Sequence, residues 1–316
     1  MASTETAVME RNETRLAKGV WAPVVTPFNA DLSPDAGRLI AHTRWLLDNG
    51  CHGVGLFGTT GEGTSLSADE RIALLEAVLA DGVPADRLMV GTGCAALSDT
   101  LRLTKACVKL GCPDVLMLPP FYYKDVSDEG LFASYAAVIE GVGDGALGIY
   151  LYHFPKLSCV PIPFAVIERL IEAFPGAIRG VKDSSGDGEH TLALVDRFPQ
   201  LSIFAGMEPL LLAVMERGGA GCITAGANVN APAIRRVYDA HQAGDSVAAS
   251  LQEQVTAQRK ALQTAPMIPG LKHVLAEAQG DPAWSRVRPP LVALGEAAAA
   301  DLRAALDAAD FAFGEG

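Results

Sequence analysis

The sequence predicts an α/β fold: a closed (β/α)8 barrel followed by a C-terminal helical extension. Three observations carry this expectation. Eight short apolar, β-branched runs recur along the chain. Between them lie amphipathic segments of helical period. The alternation stops near residue 245, after which the pattern is helical only. Eight strand–helix units with short links favour a closed barrel over an open doubly wound sheet. The dinucleotide pattern G-x-G-x-x-G does not follow the first strand, which argues against a Rossmann sheet. The 316 residues, 49% of them hydrophobic, suffice for a barrel of about 250 residues with helices appended.

In chain order, residues 1–18 read as a polar N-terminal tail. Glu5, Glu10 and Glu13 argue against a transit peptide, and there is no apolar core of a signal peptide. The barrel is expected over 19–244. Its candidate strands are "GVWAPVVTPF" (19–28), "GVGLFG" (53–58), "RLMVGTG" (87–93), "DVLMLPP" (114–120), "LGIYLYHFP" (147–155), "IRGVKDSSG" (178–186), "LSIFAGMEP" (201–209) and "GCITAGANV" (221–229). Segments such as "SADERIALLEAVLA" and "SDTLRLTKACVKLG" show helical period, a cap-like Ser at the start and, in the second, a closing Gly. "SADE", Ser67 to Glu70, fits a capping box. Residues 245–316 form the extension. No Pro/Gly/Ser linker precedes it, so it is expected to pack on the barrel.

Composition narrows the function. The net charge of −12 disfavours nucleic acid and anionic membrane as partners. No apolar run is long enough for a membrane helix. The six dispersed cysteines contain no C-x-x-C pair. Reduced, mostly buried thiols in a cytoplasm are the expectation. The histidines lack H-x-x-x-H and H-E-x-x-H spacing, so no metal is expected.

In a barrel of this kind the working residues sit at the C-terminal strand ends and in the following loops. Strand alternation places Ile178, Gly180 and Lys182 on one face of the sixth strand. If that face is interior, desolvation disfavours the charged amine. A neutral amine attacks ketones and aldehydes, giving a Schiff base. The competing reading is a strand-end lysine that snorkels to water or pairs with Asp183 or Asp187. The residues themselves leave both open. Tyr152 shares parity with Tyr150 and could relay protons, although by itself it reads as a packing aromatic. "GTTGEG", Gly58 to Gly63, offers amides and hydroxyls suited to a carboxylate or phosphate. Alone it reads rather as an ordinary turn between strand and helix.

Taken together, "GTTGE", "FYY…EGL", Y-x-x-P at Tyr152 to Pro155, "GVKDSSGD" and "GxxGCIT" resemble the dihydrodipicolinate synthase/N-acetylneuraminate lyase family of Schiff-base barrel enzymes. The likeness runs from about Val20 into the C-terminal helices. It implies that Lys182 forms the Schiff base with the keto carbon of pyruvate or a 2-keto acid, and that Tyr152 shuttles protons. Thr59 would link Tyr152 to Tyr123 of a neighbouring subunit. Thr60 and its backbone, next to Gly58, would hold the carboxylate, and Gly206 and Ile223 would shape the pocket. It also implies a homotetramer and no cofactor.

One departure matters. Synthases of the lysine pathway usually carry an arginine two residues after the proline, where it binds a second carboxylate. Here that residue is Leu157, and leucine cannot form a carboxylate fork. Lys156 has the opposite strand-like parity and is not expected to substitute. His153 stands where asparagine is usual. The expectation is therefore a lyase, an aldolase or dehydratase acting on a 2-keto acid such as a 2-keto-3-deoxy sugar acid. Dihydrodipicolinate synthase, neuraminate lyase and a non-catalytic ligand-binding relative are the alternatives.

Overall fold

Each of the eight runs becomes a strand, and the strands pair in parallel and in sequence order until the last meets the first. They are β1 (Gly19–Pro23), β2 (Gly53–Leu56), β3 (Leu88–Gly91), β4 (Asp114–Met117), β5 (Gly148–His153), β6 (Ile178–Asp183), β7 (Ser202–Ala205) and β8 (Gly221–Ile223). The computed structural model describes residues 16–314. Residues 1–15 of the expected tail lie outside these. Ala17 and Lys18 seal the barrel floor: the Tyr150 hydroxyl accepts from the Ala17 amide at 3.0 Å, and Trp21 Nε1 donates to the Lys18 carbonyl at 3.0 Å.

Every observed strand is shorter than its apolar run. The surplus residues, such as 57–58, 118–120, 184–186 and 206–209, form the loops at the C-terminal barrel face. In a β/α barrel these loops carry chemistry.

Helices α1 (Ala36–Asp48), α2 (Ala68–Ala80), α3 (Leu97–Lys109) and α4 (Asp128–Val142) follow β1 to β4. After β5 come the one-turn α5 (Pro155–Ser158) and α6 (Phe164–Ala173). Helices α7 (Gly188–Arg197), α8 (Leu211–Glu216) and α9 (Ala227–Gln242) follow β6 to β8. The Ser67–Glu70 capping box is present at α2. Ser98, in contrast, is not a cap: Ala96 precedes α3 without a side-chain bond, and Ser98 lies inside the first turn.

Alternation sorts the strand residues into two layers. Val54, Leu56, Val90, Val115, Ile149, Val181 and Ile203 face the helices. Trp21, Met89, Leu116, Tyr150, Tyr152, Phe204 and Ile223 fill the interior. One parity expectation fails. The β5–β6 register shifts between Ile149, opposite Ile178, and Tyr150, opposite Gly180. The extra residue, Arg179, breaks the alternation, as a bulge does. Ile178 therefore packs in the outer layer, while Gly180 and Lys182 still face inward.

Beyond the barrel lie α10 (Ala248–Leu262), α11 (Met267–Gln279) and α12 (Glu296–Ala308). Leu262, Leu271, Leu275, Trp284 and Leu302 bury together with Val25 and Val229, which follow β1 and β8. These helices thus pack beside the C-terminal mouth. Among the described residues, no helix is long and apolar enough to cross a membrane.

Candidate active site

Lys182 stands at the inward end of β6, in register with Tyr152 of β5 and Phe204 of β7. It is 3% exposed. Its Nζ lies 4.2 Å from the centroid of the Tyr152 ring. Neither acid in its own loop is its partner. Asp183 points outward, where Oδ2 accepts from Thr191 Oγ1 at 2.7 Å and lies 2.9 Å from His190 Nδ1, and Oδ1 accepts from the Ser185 amide. Burial works to raise the Asp183 carboxyl, but these hydrogen bonds hold it below its ordinary value. Asp187 caps α7. The pairing alternative for Lys182 thus falls away, leaving a buried amine that faces an aromatic ring.

The Tyr152 hydroxyl donates to Thr59 Oγ1 at 3.3 Å. Thr59 and Thr60 lie on the loop after β2, where Gly61 and Gly63 are sterically required. A Cβ at Gly63 would fall 1.9 Å from the Phe57 carbonyl oxygen, and one at Gly61 would fall 2.6 Å from that of Val24. Within the loop, the Glu62 and Gly63 amides donate to the Thr59 and Gly58 carbonyls. Among the described residues, the Thr59 and Thr60 amides meet no protein acceptor, so they can receive an anion. Glu62 adopts a left-handed conformation. It is locked by Lys272 of α11 and by the Arg288 amide, which donates to its Oε2 at 2.9 Å.

A cavity of about 380 Å³ opens above Lys182. Thr59, Thr60, Tyr152, Leu157 and Gly206 line it with the lysine. Gly206 permits a close approach of β7 to β6, since a Cβ there would meet Ser184 Oγ at 2.2 Å. Two expected pocket residues sit elsewhere. Ile223 is buried in the barrel interior with Tyr152 and Phe204 and does not line the cavity. Gly58 lines a small neighbouring recess behind Thr59.

Sequence reasoning missed Phe154, Ser184, Met207, Arg259, Gln263 and Met267, which also line the cavity. The last three come from the extension, more than 70 positions from Lys182, and no local motif marks them. Arg259 donates to Glu208 Oε2 at 3.0 Å, and the Thr224 hydroxyl bonds the same oxygen. Sequence reasoning also set Lys156 aside by strand parity. The chain turns into α5 at Pro155, so parity no longer applies, and both Lys156 and Leu157 reach the cavity.

The dihydrodipicolinate synthetase family model matches residues 16–309. The chain belongs to this family. It is a lyase of the Schiff-base aldolase type. An uncharacterized DapA-like lyase of Chloroflexus aurantiacus is 38% identical over 292 residues, covering 92% of this chain and 96% of that one. The 4-hydroxy-tetrahydrodipicolinate synthase of Rhizobium meliloti is 33% identical, with coverages of 92% and 97%. The crystal structure of dihydrodipicolinate synthase from Agrobacterium tumefaciens superposes with a TM-score of 0.84 at 34% identity, over 92% of this chain and 98% of that one.

The two positions that the sequence marks as departures are both placed. Leu157, where the resemblance leads one to expect arginine, is 59% exposed at the cavity rim. His153 points away from the cavity, with its ring 4.6 Å from that of His190 and nearly parallel to it. Its Nδ1 accepts from the Ile162 amide at 3.1 Å, and burial pushes it down to about 4. His153, Asp183 and His190 lie close enough to suggest a metal cluster. Within this cluster His153 Nδ1 accepts from the Ile162 amide, and Asp183 Oδ2 is held by Thr191 and His190 Nδ1. Tyr123 does not line its own chain's cavity. It is 74% exposed, edge-on to Tyr122 with ring centroids 5.4 Å apart.

Proposed function

We propose that this lyase binds a 2-keto acid through its pyruvate portion, as a Schiff base on Lys182, and cleaves or dehydrates it. The single observation that carries this reading is the buried amine without a carboxylate partner, facing Tyr152, whose hydroxyl is bonded to Thr59. The lysine nitrogen attacks C2 through its lone pair, forming a C–N bond. The former carbonyl oxygen takes protons relayed through Tyr152 and leaves as water, producing an iminium. In the aldolase direction, the C4 hydroxyl gives up its proton and the C3–C4 bond breaks. Its electron pair enters the iminium and an aldehyde departs. The resulting enamine gains a proton at C3, and water then hydrolyses the iminium to return pyruvate and the free lysine.

Thr60 and the open amides of its loop hold the C1 carboxylate. Gly206 keeps the floor beside Lys182 clear of a side chain. Tyr123, supplied by a neighbouring subunit of a homotetramer, completes the relay at Thr59. Leu157 in place of arginine favours a 2-keto-3-deoxy sugar acid over aspartate semialdehyde as the reacting partner, because the charge-assisted fork is absent. The decisive experiment is borohydride reduction in the presence of pyruvate, followed by peptide mass mapping. The adduct is expected on Lys182. An adduct on another lysine, or none while turnover persists, rejects the reading.

A further inference from the structure

We propose that Lys156 is a specificity-determining cation that holds a second anionic group at the far end of the substrate. This inference rests on the Schiff-base reading above and deepens it. Lys156 is carried on the one-turn helix α5, directly after the strand that bears Tyr152. Its ammonium reaches into the Lys182 cavity above Gly186: a Cβ at position 186 would fall 2.7 Å from Lys156 Nζ. Gly186 has φ +76°, so the backbone there is held in a conformation that side chains rarely adopt, and the lysine occupies the space left open.

The charge of Lys156 is not compensated. Nearby acids are committed: Asp183 to His190 and Thr191, Asp187 to the α7 cap, and Glu208 to Arg259 and Thr224. No ion pair among the described residues engages Lys156. Arg259, the other cation of the outer wall, differs in this respect because Glu208 balances it. An ammonium offers three donors and no acceptor, so an anion is its natural complement. The neighbouring wall residues Phe154, Leu157, Met207, Met267 and Ile268 are apolar and offer the ammonium no competing acceptor side chain. In a chain of net charge −12, this local cation draws an anion that the overall field does not. The inferred substrate class is a 2-keto acid ending in a carboxylate or phosphate.

Lys156 is exposed to solvent at the cavity mouth, so the effect is moderate. A roughly fivefold preference, about 1 kcal/mol, is the scale for such a pair. The test is reductive trapping on Lys182, read by intact mass, with keto acids that share the pyruvate head. The probes are 2-oxoglutarate and 2-oxoadipate against 2-oxopentanoate and 2-oxohexanoate, with pyruvate as reference. In the unaltered protein, at least one dicarboxylate should reach half-maximal adduct at a concentration roughly fivefold below its monocarboxylate counterpart. High salt should shrink this ratio. Lys156→Met should bring it close to unity, and Lys156→Arg should retain it. Equal trapping of both acid types by the unaltered protein, with pyruvate still trapped, overturns this inference alone. A preference that survives in Lys156→Met does the same. Failure to trap pyruvate at all overturns the Schiff-base reading and this inference with it.

Discussion

The Nζ of Lys182 sits 4.2 Å from the centroid of the Tyr152 ring. Because β5 and β6 pair these residues directly, the contact is set by backbone register rather than by a flexible loop. The hydroxyl at the other end of the same ring bonds Thr59. One side chain thus supports the amine with its face and reaches Thr59, the proposed proton relay, with its tip.

This division of labour can be separated by Tyr152→Phe. The ring under Lys182 is kept and only the hydroxyl is lost. Turnover should fall by about 10²- to 10⁴-fold, the usual contribution of a positioned acid–base group. Pyruvate trapping on Lys182 should persist but form more slowly. Steady-state rates and trapping time courses check this. Unchanged turnover would reduce Tyr152 to a packing residue.

The protein buries a second lysine, and its surroundings are opposite. Lys272 is fully buried in α11, paired with Glu62, donating to the Arg286 carbonyl at 2.7 Å and lying 4.4 Å from the Phe28 ring centroid. Burial pulls its ammonium below the ordinary lysine value, against the attraction of Glu62. Removing one partner strands the other charge in the interior. Lys272→Met or Glu62→Gln should therefore destabilise the fold by about 3–5 kcal/mol. The double variant should cost less than the sum of the two. Denaturant melts of the three variants check the coupling. Since Glu62 anchors the loop of Thr59 and Thr60, the folded fraction of Glu62→Gln should also bind 2-keto acids more weakly.

The contrast between the two lysines explains what the sequence could reveal. Lys182 stands out because a β-branched strand surrounds it and alternation assigns it a face. Lys272 sits in the helical run "GLKHVLAEA", where lysine is common, and its partner lies 210 positions away. The barrel was legible because eight strands repeat one local pattern, each pairing with its neighbour in sequence. The cavity lining was legible where one strand or loop holds several groups, as with Thr59–Thr60 and Tyr152. It was not legible where the wall comes from α10 and α11, as with Arg259, Gln263 and Met267, because nothing local ties those helices to the barrel mouth. Alternation misled at two points for physical reasons. The extra residue at Arg179 moved Ile178 to the outer layer, and the turn at Pro155 brought Lys156 into the cavity.

His153 gives a prediction with a defined pH window. Burial holds it at about 4, against 6.5 for an ordinary histidine. Between these values the unfolded chain takes up a proton that the folded chain refuses, so acid favours unfolding. The contribution is fully present above pH 6.5 and is lost as the pH falls toward 4, amounting to about 3 kcal/mol at most. His42 and His52, also pushed down to about 4 by burial, add to the same slope. His153→Asn retains an acceptor for the Ile162 amide and cannot be protonated. It should lose less stability between pH 6.5 and pH 4 than the unaltered protein, as measured by denaturant melts across that range. Parallel slopes would mean that His153 is accommodated in its charged form.

The exposed pair Tyr122–Tyr123 leads to the last prediction. Large aromatic faces are seldom left in water, and interfaces favour tyrosine. Tyr123 does not line the cavity of its own chain, whereas the family resemblance gives it a role beside Thr59 of a neighbour. In the proposed homotetramer, pairs of subunits therefore exchange this residue. Tyr123→Phe should lower turnover while preserving assembly, since it removes a hydroxyl and keeps the ring. Lys182→Ala should abolish turnover and keep the fold, since no ion pair is broken. When the two variants are mixed and allowed to exchange subunits, a pair holding one of each contains a site whose lysine comes from the first chain and whose tyrosine comes from the second. That site carries neither lesion, and activity should rise above that of either variant alone. Mass spectrometry of the mixture verifies exchange. No rise after verified exchange would mean that Tyr123 serves its own subunit or only packs at an interface.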